Sequence, residues 1–192
     1  VLFRSDALTT STDIFATLAV LFGVTDTIRQ RTHGKSLLPL LDGTAASVRD
    51  FVLSGIWGRE VHYIDAQMKY ARAPMAANAP LSMWSNRWST MPTHGLLPKE
   101  MELPLPDARA RLSHMPGTDV PVIRQMWDVS DNVPYWCRGR FSGNHLYDLG
   151  NDPAEMENLA GTGAEARMAG ALREAMKAVG APEEQFTRLG LA

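Results

Sequence analysis

Little in this sequence is extreme, and three shortages narrow what it encodes. Cys137 is the sole cysteine, so no internal disulfide can form, and cysteine usage leaves the compartment open. Nineteen Lys and Arg stand against 21 Asp and Glu, a net charge of −2, which offers no basic surface for nucleic acid. The most apolar stretch, Ile14 to Val24, is 11 residues long, whereas a membrane span needs about 20. It reads as a buried helix, and no membrane span is expected. A glycine-rich phosphate loop, a zinc-spaced Cys/His cluster and an internal repeat are also missing from the sequence.

What remains has ordinary globular composition, 45% hydrophobic and 21% charged. TSTDIFATLAVLFGV (residues 10–24) reads as a helix capped by Ser11 or Thr12, with Asp13 in its first turn. Ile14, Leu18 and Leu21 form one face, and Phe15 and Phe22 widen it, so burial on most sides is expected. HGKSLLPLLDG (33–43) reads as a loop and a short helical turn. From Asp50 the period becomes that of strands: FVLSGI, EVHYID and MKYARAP, the last two joined at Asp65-Ala66-Gln67. YWCRGRF and HLYDL read as another strand pair around Ser142-Gly143-Asn144. Asp152, Pro153 and Glu155 read as the capped start of a helix that Asn158 ends. Residues 164–179 form the last clear helix, with Met168, Leu172, Ala175, Met176 and Val179 as its apolar stripe.

Residues 74–134 have no clear period. They hold nine of the 12 prolines, three of the five tryptophans and two of the five histidines. This composition reads as a long, irregular but ordered insertion, and long loops of that kind tend to be functional.

The first five residues, Val-Leu-Phe-Arg-Ser, are also the in-frame translation of GTGCTCTTCCGATCT, the end of a common sequencing adapter. The expectation is that Val1 to Ser5 are translated adapter and that native sequence enters at about Asp6.

Three segments in order carry a family resemblance. TDIFATLAVLFGV (12–24), HGKSLLPLLDG (33–43) and LYDLGNDPAEMENLA (146–160) resemble the C-terminal part of the sulfatase family within the alkaline-phosphatase superfamily, with MKYARA lying between. The resemblance implies an α+β chain in two parts. Residues 6–45 would be a remnant of the large α/β sulfatase domain. Residues 46–192 would be the C-terminal subdomain, a small antiparallel sheet of about four strands packed by a C-terminal helix, with the irregular insertion at 74–134. It also implies an intact parent that hydrolyses a sulfate ester, or a phosphate or phosphonate ester, on a scaffold shared across these substrates.

The family's nucleophile is a formylglycine made from Cys or Ser in Cys/Ser-x-Pro-Ser-Arg, activated beside a divalent metal, calcium as the leading candidate. Cys137 is followed by Arg138, Gly139 and Arg140 and does not match. The Asp-Asn of Ser130-Asp131-Asn132 stands too late in the order to be a metal pair. No catalytic or metal-binding residue and no cofactor is therefore assigned to this chain; its implied partners are a missing N-terminal catalytic domain and a small anionic ester substrate. The alternative is a non-catalytic interaction module or pseudo-enzyme remnant. His33, His62, His145, Lys35, Asp152, Glu155 and Asn158 read as structural or solvent-facing.

Substrate contact is expected from the insertion, at Trp84, Arg87, Trp88, His94 and Arg124, where flat apolar faces and fixed cations suit a ring that bears an anionic group. The competing reading of the tryptophans is a hydrophobic cluster that pins a long loop.

Overall fold

The computed structural model describes residues 4–28, 32–86, 105–138 and 141–192. In chain order these form α1 (Thr12–Leu21), a 3-10 turn (Thr25–Thr27), α2 (Leu38–Leu41), β1 (Val52–Gly55), β2 (Val61–Ile64), β3 (Met68–Arg72), β4 (Leu81–Ser85), β5 (Arg111–His114), β6 (Pro121–Trp127), α3 (Tyr135–Arg138), β7 (His145–Asp148), α4 (Gly163–Ala178) and α5 (Glu183–Leu189). The fold is α+β, and two compact units interleave along the chain.

The first unit comprises residues 1–54, 62–71 and 145–179. Its four-stranded antiparallel sheet has the order β1-β2-β3-β7. The Asp65 side chain sets the β2–β3 turn by accepting from the amides of Gln67 and Met68. β3 pairs antiparallel with β7 in the register Met68↔Asp148 through Ala71↔His145. Tyr70 and Leu146 are fully buried on these strands, as are Met168, Leu172, Ala175 and Met176 along α4. The Tyr70 hydroxyl donates to Glu165 Oε1 at 3.0 Å, fixing the start of α4 against β3.

α1 departs from expectation. Ile14, Phe15, Leu18, Leu21 and Phe22 are all exposed, Phe22 to 75%. Its buried residues are Asp13, Thr17 and Ala19, two of them polar. Asp13 is wholly buried and accepts from the amides of Thr10 and Lys35 and from the Arg49 guanidinium. Thr17 donates to Asp13 O and accepts from Leu37 N. This clamp turns the helix, because a buried carboxylate left without its cation costs more than several half-exposed methyls.

A second departure is the DPAEMEN stretch, which forms turns and no helix. Asp152 accepts from Glu157 N, and Glu155 has φ +56. Glu155 pairs with Lys69 through both carboxylate oxygens, at 2.8 Å each, in place of closing a capping box. Asn158 accepts from Leu146 N on β7 and from Ala160 N, so its place is to tie the turn to the sheet.

The second unit comprises residues 55–61, 72–144 and 180–192. Here the expected irregular insertion is corrected: residues 74–134 contain a three-stranded sheet of order β4-β6-β5, both pairings antiparallel. Prolines hid the strands because they fall outside them or, as Pro121, at a strand's first position, where proline is tolerated. Leu81, Trp127, Val133 and Cys137 make the core, with Trp57, Met83 and Trp136 packed on it. Trp57 and Trp127 meet edge to face with centroids 5.3 Å apart.

YWCRGRF is also corrected. Tyr135–Arg138 is a helical turn, and β7 takes β3 as its partner instead. Consecutive Trp136 and Cys137 both pack on the Trp57 side, and alternation along a strand would send them to opposite faces. Gly58 lies so close that a Cβ there would meet Cys137 Sγ at 2.3 Å. α5, absent from the sequence reading, completes the unit.

Candidate functional site

Antiparallel pairing brings two of the expected substrate-contact residues together. Trp84 on β4 is register partner to Arg124 on β6, and the Arg124 Cζ lies 5.0 Å from the Trp84 ring centroid. Arg111 on β5 is the next residue in the same cross-strand row. The row runs Trp84, Arg124, Arg111, one aromatic and two cations on one face of the sheet. Arg87, Trp88 and His94 lie outside the described residues.

The sequence reading missed the carboxylate that meets this row. Glu184, in the first turn of α5, accepts from Arg124 Nη2 at 2.8 Å and is 8% exposed. Burial pushes its carboxyl up, but the hydrogen bonds it accepts from Ser82 and Arg124 outweigh burial and hold it below the ordinary glutamate range. Its signal was Pro182-Glu183-Glu184, a proline followed by acidic residues, which is how a helix begins.

The fork of Arg124 is half used. Its Nε is buried with no hydrogen-bond partner, as is Trp84 Nε1, while the Ser82 hydroxyl is spent on the Glu184 carboxylate. Ser82 and Trp84 are two apart on β4 and so share a face, the face of Arg124. Arg111 spends its Nη1 on the carbonyls of Ala108 and Ala110.

A separate cavity of about 190 Å³ lies in the same unit, lined by Leu81, Val133, Cys137, Asn78, Arg138 and Phe141 among others. Its polar floor is already engaged. Asn78 donates to Gly58 O and Cys137 O and accepts from the buried Arg188. Burial raises the Cys137 thiol to about 11 and lowers Arg188 to about 10. An inert thiol and spent amide give this cavity no reactive group.

Of the residues read as structural, His145 Nδ1 lies 3.0 Å from the Tyr147 hydroxyl, and Asn158 and Glu155 hold the turn described above. Among the described residues no three His, Cys, Asp or Glu side chains converge as a metal would require. No helix among them is long and apolar enough to cross a membrane.

Compared with known proteins, the sequence matches no family model and no curated protein. A solved structure described as "Metabolism of multiple glycosaminoglycans by bacteroides thetaiotaomicron is orchestrated by a versatile core genetic locus (BT33336S-sulf)" resembles 86% of this chain at 20% identity and a TM-score of 0.42. This chain spans 24% of that one. Identity and score at this level leave the chain's own residues to carry the functional reading.

Proposed function

We propose that this chain is the C-terminal part of a sulfatase-like hydrolase whose nucleophile and divalent metal, calcium foremost, lie on an N-terminal domain that it partners. The observation that carries the proposal is the trio of motifs in order, together with what their residues do. Asp13 and Thr17 of the first motif bond the amides of Lys35 and Leu37 in the second. Asn158 of the third ties its turn to β7. Gly34 of the second lies where a Cβ would meet Thr12 O at 2.2 Å, so that position has room only for glycine. Residues of the first two motifs therefore bond one another and those of the third bond within it, which a chance run of similar letters would not do.

In this reading the chain contributes recognition, and the chemical step belongs to the absent domain. Trp84 offers an aromatic face, Arg124 a guanidinium, and Arg87, Trp88 and His94 are proposed to join them. The substrate is a small anionic ester. Sulfate is preferred, with phosphate or phosphonate as the other ester classes the scaffold suits.

The test is the gene upstream of Asp6, and then its product. A Cys/Ser-x-Pro-x-Arg motif and an aspartate pair are expected there. The full-length protein should release 4-nitrophenol from 4-nitrophenyl sulfate and lose that activity in chelator, while this chain alone releases none. An unrelated upstream domain, or metal-dependent turnover by the isolated chain, overturns the proposal.

A further inference from the structure

Trp84 Nε1 and Arg124 Nε are buried polar atoms without a hydrogen-bond partner, and both residues lie on one face of the β4–β6 pair. Buried polar groups are nearly always satisfied, and an unsatisfied one in a native fold calls for a bound water or ion. Both atoms are obligate donors, so the group they await is an acceptor.

Arg124 points to the kind of acceptor. A guanidinium presents Nε and Nη2 as a fork matched to two oxygens of one carboxylate or sulfate. Glu184 takes only the Nη2 prong, at 2.8 Å, and leaves the Nε prong empty. The Trp84 ring lies under the guanidinium, and its N–H is unspent. Arg111 stands directly opposite Arg124 across the β5–β6 pair, and like charges in that position are unfavourable unless an anion lies near both. With 35% of its side chain exposed, Arg124 is within reach of a ligand.

We propose that the face bearing Ser82, Trp84 and Arg124 binds a small oxyanion group, sulfate or carboxylate, and that the Glu184 carboxylate occupies part of its place in the unliganded chain. Binding exchanges one carboxylate for another anionic group. The incoming group takes both prongs of the fork and the indole N–H, and Glu184 on α5 is released. Glu184 is thus an internal competitor and Arg124 the specificity-determining residue. The binding claim stands on these residues alone. A parent that proves catalytically inert leaves it intact, and an active parent with an unresponsive Trp84 removes it without touching the proposed function.

The experiment is a titration of the 192-residue chain with sodium sulfate, and separately with sodium acetate, at constant ionic strength, read in the ¹⁵N–¹H indole spectrum. Trp84→Phe identifies the Trp84 peak among the five tryptophans. The Trp84 N–H is expected to move saturably while the others do not. A response to sulfate alone assigns a tetrahedral oxyanion, and a response to both assigns oxyanions generally. Glu184→Gln should tighten binding about tenfold by removing the competitor. Arg124→Lys, which keeps the charge and loses the fork, should abolish saturation. All five indoles drifting together, or Glu184→Gln binding no tighter than the unaltered chain, overturns the proposal. The comparison between Glu184→Gln and the unaltered chain decides the matter even where Arg124→Lys fails to fold.

Discussion

Asp13 shows how much one side chain can decide. It is wholly buried, paired with Arg49 and fed by two backbone amides, and it sets which side of α1 faces inward. Asp13→Ala would leave the Arg49 guanidinium, itself 12% exposed, without its anion. Breaking a buried pair from one side costs about 3–5 kcal/mol, and that loss is expected in urea unfolding followed by far-ultraviolet circular dichroism. An Asp13→Ala chain within about 1 kcal/mol of the parent would show that the pair contributes little net stability. Charge also sets the acid limit of the fold. Hydrogen bonds from Arg109 hold Asp131 below its usual value of 3.8, and Glu184 is held below 4.5 as described. Groups depressed in the folded state contribute fully above their unfolded pKa, and the contribution is lost as pH falls through the folded value. The melting temperature should therefore drop as pH falls below about 4, and Asp131→Asn should flatten part of that drop.

Elements were legible where periodicity was clean. The strands at 52–55, 61–64 and 68–72 and the 163–178 helix fall where alternation and the 3.6-residue stripe place them, and the helix buries Met168, Leu172, Ala175 and Met176 along that stripe. Tertiary demands overrode local patterns elsewhere. Asp152-Pro153-Ala154-Glu155 has the letters of a capping box, yet Lys69 takes Glu155 and the backbone turns left-handed there. Of the candidate site, Trp84 and Arg124 could be named from residue type, but the register joining them could not. Glu184 approaches from a helix 60 residues away from Arg124, a separation that no local window spans. α5 ends at Gly190, whose φ of +62 places a would-be Cβ 2.8 Å from Met75 Sδ. Gly190→Ala should loosen α5 at a cost of about 1–2 kcal/mol, from left-handed strain together with the crowded contact. Faster amide exchange confined to residues 183–191 would locate that cost in α5, whereas exchange unchanged from the parent chain would show that Gly190 can be replaced freely.

At the scale of the whole molecule the outstanding feature is the face that α1 leaves uncovered. Ile14, Leu18 and Leu21 follow the i, i+4, i+7 spacing of a helix seam, and Phe15 and Phe22 stand a heptad apart beside them. All five are exposed, with Phe15 at 54% and Phe22 at 75%. Contiguous apolar patches above a few hundred Å² are uncommon on monomers and drive association. The Asp13 clamp prevents the helix from rolling this face inward, because rolling would strand the carboxylate and Arg49 in an apolar setting. Isolated chain should therefore self-associate, with a weight-average mass by light scattering that rises with concentration above the 21.1 kDa of one copy. Phe15→Glu together with Phe22→Glu should return it to a single copy without lowering the melting temperature, since neither ring contributes to a core. Appending the upstream domain of the proposed parent should have the same effect with both phenylalanines in place, as the face would then be covered. A single-copy mass at all concentrations for the unaltered chain would mean that this face is compatible with water as it stands. The case for an absent catalytic domain would then rest on the sequence motifs alone.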